Sequence, residues 1–187
     1  GGRLYTNGMD VNDDGNTDFV FFGLSYLTGG TWQGGIVQVY TGNVDPSHWD
    51  YETEALNLAQ VPITAKVEFG KCFDRWFIFA SSGRFFYQGD NYLPAPDRLI
   101  GIEFPCGVNP TGGDEPECTS LNWGHTSASA CGFLQDGKRA AWYQELEIPD
   151  VSTGYLKERS ITDPTVATNN MVFFTTTEPS SDICSYG

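Results

Sequence analysis

An all-β fold is what the sequence predicts, and three observations predict it. Short apolar or alternating runs recur between clusters of Gly, Pro, Ser, Asn and Asp. Aromatic and β-branched residues dominate those runs, while a helical period is almost absent. The 187 residues include 22 glycines, 10 prolines, 13 phenylalanines and 9 tyrosines, a balance that favours strands and turns. The length is that of one ordinary domain, taken here as residues 1–187.

The elements follow in order. Residues 19–23 (FVFFG) form a continuous apolar run, consistent with a strand buried on both faces. Residues 35–41 follow a Gly-rich turn and read as the next strand. Residues 51–60 are the one helix candidate, with Leu56 and Ala59 on one side, and Val61-Pro62 stops it. In residues 63–69, Ile63, Ala65, Val67 and Phe69 alternate with Thr64, Lys66 and Glu68, which places the apolar set on one face of a strand. Residues 75–80 and 84–87 flank Ser81-Ser82-Gly83 and suggest a hairpin. Residues 98–104 make another strand. Residues 107–130 are rich in Gly, Pro, Ser, Asp and Glu and read as a long loop insertion. Residues 140–146, 158–161 and 170–177 complete the set.

Residues 18–27, 74–87 and 169–177 share a loose theme: a polar approach, an aromatic-rich strand, then a small-residue turn. Strands at such intervals suit a β-propeller, with residues 3–50, 61–106 and 131–184 supplying all or part of about three blades. A β-sandwich uses the same number of strands, and the pattern fits both. Closing a propeller takes at least four blades, so the propeller reading makes the chain part of a larger ring. The ends fit that expectation. Gly1-Gly2-Arg3-Leu4 resembles neither a translation start nor a signal peptide, and the chain stops just after a strand and a cysteine. A trimmed mature domain is the alternative.

Acidic residues outnumber basic ones 24 to 10, for a formal charge of -14 and a pI near 4.2. A binder of the nucleic-acid backbone by counterion release should be basic, so no nucleic-acid partner is expected. No apolar run approaches the ~18 residues of a membrane span. Five cysteines, at 72, 106, 118, 131 and 184, include no Cys-x-x-Cys pair. In an exported protein they would form at most two disulfides, leaving one unpaired thiol. Buried free cysteines in a cytosolic protein are the alternative.

The sharpest motif is DVNDDGNTD, residues 10–18. Asp10, Asn12, Asp14 and Asp18 carry side-chain oxygens at positions 1, 3, 5 and 9. Gly15 at position 6 allows a sharp turn, and Asn16 at position 7 can offer its carbonyl. Carboxylates this close repel one another unless a cation lies among them. All-oxygen ligands favour Ca2+ over zinc, and magnesium keeps more water and a stricter octahedron. A helix-flanked loop would place Glu at position 12, where this chain has Phe21. The motif therefore reads as a calcium loop feeding a strand, with Asp13 facing water. A solvated turn without metal is the plainer alternative.

Other signals are weaker. Cys118, His125 and Cys131 match no compact zinc spacing and fit a disulfide loop better. His48 reads as a turn residue. Tyr92 and Trp123 are loop aromatics, individually more often packing residues than binding ones. There is no Gly-x-Ser-x-Gly elbow, no His-Glu-x-x-His and no phosphate-cradling Gly-x-x-x-x-Gly-Lys. No catalytic residue is assigned, and the chain is not expected to be an enzyme.

Four stretches together resemble the C-terminal β-propeller of PilY-type proteins, the type IV pilus tip adhesins and biogenesis factors of Gram-negative bacteria. They are residues 10–23; residues 34–42 with Asp45-Pro46-Ser47-His48-Trp49; residues 62–67, 76–79, 82–87 and 97–101; and residues 158–166 with 172–184. The last is the most specific, with its arginine, Asp-Pro step, Phe-rich strand and Pro-Ser-Ser-Asp turn before Cys184. The insertion at 107–130 has no counterpart in the resemblance. The resemblance implies a calcium-binding propeller acting in pilus assembly, retraction control and surface attachment. It implies an exported protein of the cell surface, pilus tip, periplasm or outer membrane. Its partners would be minor pilins or other filament subunits, and host or abiotic surfaces. A secreted quinoprotein-like propeller enzyme and a structural subunit of an extracellular filament are the alternatives.

Overall fold

The computed structural model describes residues 8–52, 57–58, 62–72, 75–104, 122–125, 140–150, 152–168, 171–182 and 184. Among them regular structure is almost wholly β, with only two short 3-10 turns, Pro46–His48 and Gln88–Tyr92. No helix among the described residues is long and apolar enough to cross a membrane.

The first sheet is built on a long antiparallel hairpin, β1 (Phe19–Thr28) and β2 (Thr31–Tyr40). Gly29 and Gly30 turn it with φ of 55° and 78°, left-handed values that cost glycine nothing. β3 (Asp50–Glu52) and β4 (Asn57–Leu58) both pair with β2. These two short strands replace the helix expected over residues 51–60. The physical reason is the free edge of β2, whose unpaired backbone groups two extended segments satisfy. A ten-residue stretch with only Leu56 and Ala59 as its apolar side had little to hold it helical.

The second sheet runs in the order β5 (Glu68–Cys72), β6 (Arg75–Ser81), β7 (Arg98–Phe104), β9 (Ala140–Glu145), β8 (Asn122–His125). Its neighbours are antiparallel except β8, which pairs parallel to β9. β8 falls inside the stretch read as one long loop, and the rest of residues 107–130 lies outside the described residues. A third, two-stranded sheet joins β10 (Thr165–Ala167) to β11 (Met171–Phe173). The segment expected as a strand over residues 158–161 makes a single bridge, Arg159 to Thr177.

The central sheet is buried on both faces. One face of β6, β7 and β9 presents Ile78, Ala80, Ile100, Ile102, Phe104 and Ala141 to Phe19, Phe21 and Ile36 of the first sheet. The other presents Phe77, Phe79 and Trp142 to Val166, Val172 and Phe174. Period two thus sends successive residues of β6 into two different cores. The two-sided burial expected of residues 19–23 belongs to β6 instead. On β1, Phe19, Phe21 and Gly23 are buried, whereas Val20, Phe22 and Leu24 are only half-buried.

The hairpin expected across Ser81-Ser82-Gly83 does not form. The Ser82 N–H donates to the Arg98 carbonyl at 2.8 Å and the Gly83 N–H to the Pro62 carbonyl at 3.2 Å. The Ser160 N–H in turn donates to the Ser82 carbonyl. With these groups engaged elsewhere, residues 84–87 leave the sheet and lead into the second 3-10 turn. A Cβ on Gly83 would collide with the Ser160 backbone, so this crossing of two chain segments requires glycine. The alternation of residues 63–69 survives only in part: Ile63, Ala65 and Val67 are buried, but β5 begins at Glu68 and Phe69 is half-buried.

Candidate metal loop and a charged cleft

Residues 10–18 form a closed loop at the entrance to β1. Its base is pinned by the Met9–Phe19 bridge: the Met9 N–H donates to Phe19 O at 2.9 Å and the Asp18 N–H to Met9 O at 2.8 Å. Met9 is fully buried, which anchors the loop to the core. The Thr41 N–H donates to Asp18 O at 2.7 Å and ties the same end to β2.

Inside the loop, acidic and amide oxygens gather backbone donors. Asp10 accepts from the Asp14 N–H at 3.2 Å and from the Gly15 N–H at 2.7 Å. Asn12 Oδ1 accepts from the Asp14 N–H at 3.0 Å, and Asp14 Oδ1 from the Asn16 N–H at 2.8 Å. Asp13 and Gly15 take φ of 59° and 85°, so left-handed residues bracket Asp14 and curl the chain about Asp10. Asp13 is exposed, as expected. Burial acts to raise the Asp10 pKa. The N–H groups of Gly15, Asp14, Asp13 and Asn12 outweigh it and hold the carboxyl below its ordinary value.

Asp10, Asn12 and Asp14 are thereby wound around one turn of backbone. Asp18 is placed differently. It is buried at 3 % exposure, and its Oδ2 accepts from the Val11 N–H at 2.8 Å. Among the described residues no three carboxylate, imidazole or thiol groups converge as a ready cation site. The Asp10, Asn12 and Asp14 oxygens still have lone pairs beyond those that accept N–H donors.

The other sequence candidates are dispersed. His48 closes the first 3-10 turn, with Nδ1 3.8 Å from Asp45 Oδ2 at an exposed position. His125 and Trp123 lie on β8 rather than in a loop. Tyr92 is exposed at the end of the second 3-10 turn. Cys72 lies on β5 and Cys184 is exposed; Cys106, Cys118 and Cys131 lie outside the described residues.

A second constellation was missed by sequence reasoning. A cleft of about 500 Å³ lies between the β1–β2 turn and residues 89–97 and is lined by Trp32, Arg84, Asp90, Leu93, Asp97 and Lys157, among others. Arg84 is 7 % exposed, its guanidinium 4.4 Å from the centre of the Trp32 ring. Its Nη2 is paired with Asp90, whose other oxygen accepts from the Phe86 and Tyr87 N–H groups. Arg84 Nε and Nη1 have no partner among the described residues. Lys157 Nζ reaches Asp97 Oδ2 at 3.0 Å, and Asp97 Oδ1 accepts from Ser82 Oγ.

Arg159, 1 % exposed, lies behind them. It donates to Asn91 Oδ1 at 2.8 Å, to Arg84 O at 3.2 Å and to Lys157 O at 3.0 Å. Burial lowers its pKa; Asp97 and Asp90 oppose that, and Arg84 adds to it. The available sequence signal was scarcity: a chain with only ten basic residues sets Arg84 beside three aromatics and brings Lys157 and Arg159 within two positions.

No protein-family model matches the chain, and comparison with curated proteins and with solved structures finds no significant match.

Proposed function

We propose that the chain supplies blades of a calcium-dependent β-propeller that acts as an interaction module of an exported protein, with a type IV pilus tip as its setting. Asp10, Asn12, Asp14 and Asp18 would hold the ion by side chain and Asn16 by its carbonyl. The single observation that carries the calcium part is the curled loop: Asp10 gathers the N–H groups of Asp14 and Gly15 while left-handed Asp13 and Gly15 turn the chain around it. The Met9–Phe19 bridge then couples the loop to β1, so an ion bound there would stiffen the entrance to the first sheet. Asp18 must rotate away from the Val11 N–H to join the other oxygens.

The propeller part is supported by the stacking of sheets. A central sheet covered on one face by the β1–β2 hairpin and on the other by β10 and β11 is what consecutive blades produce. A two-layer sandwich leaves each sheet one open face. The pilus setting rests on the sequence resemblance, with an acidic composition that suits an exported surface.

The test is calorimetric titration of calcium into chelator-treated protein, beside Asp14→Ala. Saturable heat that the substitution abolishes is expected, with a gain of about 2.7 kcal/mol in unfolding free energy at a hundredfold excess over Kd. No saturable heat at millimolar calcium removes the reading. Pull-down of purified minor pilins with and without calcium tests the partner, and calcium-independent or absent capture removes that part alone.

A further inference from the structure

We propose that the cleft over Arg84 is a binding site for a small organic monocarboxylate, with the Arg84 guanidinium meeting the carboxylate and Trp32, Leu93 and Pro94 meeting the body of the ligand. The first ground is the pair of idle donors. Buried polar groups are almost always hydrogen-bonded, yet Nε and Nη1 of an arginine that is 7 % exposed have no partner among the described residues. The same side chain lines the cleft, and because neither donor is exposed at its surface, a ligand reaches them by a small turn of the guanidinium.

The second ground is charge. Arg84, Lys157 and Arg159 face Asp90 and Asp97, and Asp90 pairs with Arg84 while Asp97 pairs with Lys157. Among the described residues Arg159 is held by neutral oxygens only: Asn91 Oδ1, Arg84 O and Lys157 O. Among the described residues the four charges lining the cleft balance, and Arg159 behind them leaves the cluster one positive charge in excess, in a chain of net charge -14. A monoanion neutralises that surplus. A dianion such as phosphate would place its second charge against Asp90 and Asp97.

Size and shape agree. About 500 Å³ lies in the range of small-molecule sites, and apolar walls with a few convergent polar groups are their usual lining. With Nη2 occupied by Asp90, the ligand meets single N–H donors rather than the two-pronged edge that gives arginine its tightest carboxylate contacts. Affinity near a millimolar is therefore expected. The site is also separate from the metal loop. The loop joins β1 at Phe19, whereas Trp32 lies just past the turn at its far end, about 30 Å away at the usual rise per residue.

The experiment follows the Trp32 indole N–H by NMR in the full chain, with the signal assigned through Trp32→Phe. The probes are benzoate, its uncharged isostere benzamide, N-acetylphenylalanine as a peptide-terminus carboxylate and glucuronate as an acidic sugar. Saturable shifts with at least one monocarboxylate are expected, with benzamide about tenfold weaker or worse than benzoate. The tightest monocarboxylate names the source of the ligand. Arg84→Gln should abolish the response. Because that change disturbs a buried ion pair and could unfold the protein, Gly89→Leu gives an independent arm. A Cβ at Gly89 meets open space beside the cleft, so this variant should fold normally and lose affinity by about tenfold. Equal responses to benzoate and benzamide, no saturable shift with any monocarboxylate, or unchanged affinity in folded Gly89→Leu would overturn the proposal.

Discussion

The ring of Phe104 meets the ring of Phe19 nearly edge-on, with centroids 4.6 Å apart and planes at 84°. Phe104 belongs to β7 of the central sheet and Phe19 to β1 of the first, so this contact crosses between sheets. Phe21 adds a second edge-on contact to Phe104 at 4.8 Å. Both faces of the junction are dry, with Phe19 at 0 % and Phe104 at 2 % exposure. Phe104→Ala would remove both contacts and leave a cavity that neighbouring strands cannot fill. The expected loss is about 3–5 kcal/mol in urea unfolding. A double-mutant cycle with Phe19→Ala should return a coupling of about 1 kcal/mol. A loss below about 1 kcal/mol for Phe104→Ala would mean the two sheets are not joined through these rings.

On the opposite face of the central sheet, Gly101 of β7 sits directly opposite Trp142 of β9. A Cβ on Gly101 would overlap the indole, so the glycine is what lets the ring approach the strand this closely. Gly101→Ala is expected to cost about 1–3 kcal/mol by overpacking. In a Trp142→Leu background the same change should cost clearly less, since the obstructing ring is gone. Equal costs in the two backgrounds, measured by thermal or urea unfolding, would place the strain elsewhere.

The sequence carried the strands that depend on local pattern. Residues 98–104 were legible as β7 and residues 140–146 nearly so, because β-rich runs between turn residues specify a strand wherever the neighbours lie. Partner choice was not legible. Ser81-Ser82-Gly83 has hairpin chemistry, but its N–H and C=O groups go to Arg98, Pro62 and Ser160, partners up to 78 positions away. The strands at β3 and β4 exist because β2 offers a free edge, which no local window contains. The curled loop of residues 10–18 was legible because its acidic and amide side chains lie within nine residues. The Arg84 cleft was not, because Trp32, Arg84 and Lys157 meet only through the fold.

Glu178 is a carboxylate in an unfavourable place. Burial raises its pKa first, and the neighbouring charges of Glu147 and Glu158 raise it further. A carboxyl whose folded pKa is raised favours the folded state while protonated. That advantage is present below its ordinary 4.5 and is lost as pH rises through the folded value, so at neutral pH the charge works against folding. Glu178→Gln is therefore expected to stabilise the protein at neutral pH by about 0.5 kcal/mol or less, as for other partly exposed positions. The gain should shrink below pH 4.5 and fade in high salt, which screens the repulsion from Glu147 and Glu158. A gain independent of both pH and salt would point to packing instead of charge.

Asp10 has the opposite sign, and calcium should report it. Burial works to raise its pKa, but the four N–H groups aimed at it prevail and hold it below the ordinary 3.8. A depressed carboxyl contributes stability above its unfolded value and loses it as pH falls through the folded one. Asp10 is thus still ionised, and still able to serve as a ligand, at acidities where an ordinary aspartate has begun to protonate. The calcium-induced rise in the thermal midpoint is expected to be full at neutral pH. On acidification, loss of the Asp10 contribution should be centred below pH 3.8. Asp10→Asn removes the charge and keeps one acceptor oxygen, enough for the Gly15 N–H or the Asp14 N–H but not both, since these bond different oxygens of the carboxylate. It should weaken calcium by about tenfold or more while leaving the apo protein folded, since ligand charge sets the affinity of such loops. Thermal scans of both proteins with and without calcium, from neutral pH down to about 3, check this directly. An unchanged calcium response in Asp10→Asn would show that the ion, if bound at all, does not use this carboxylate.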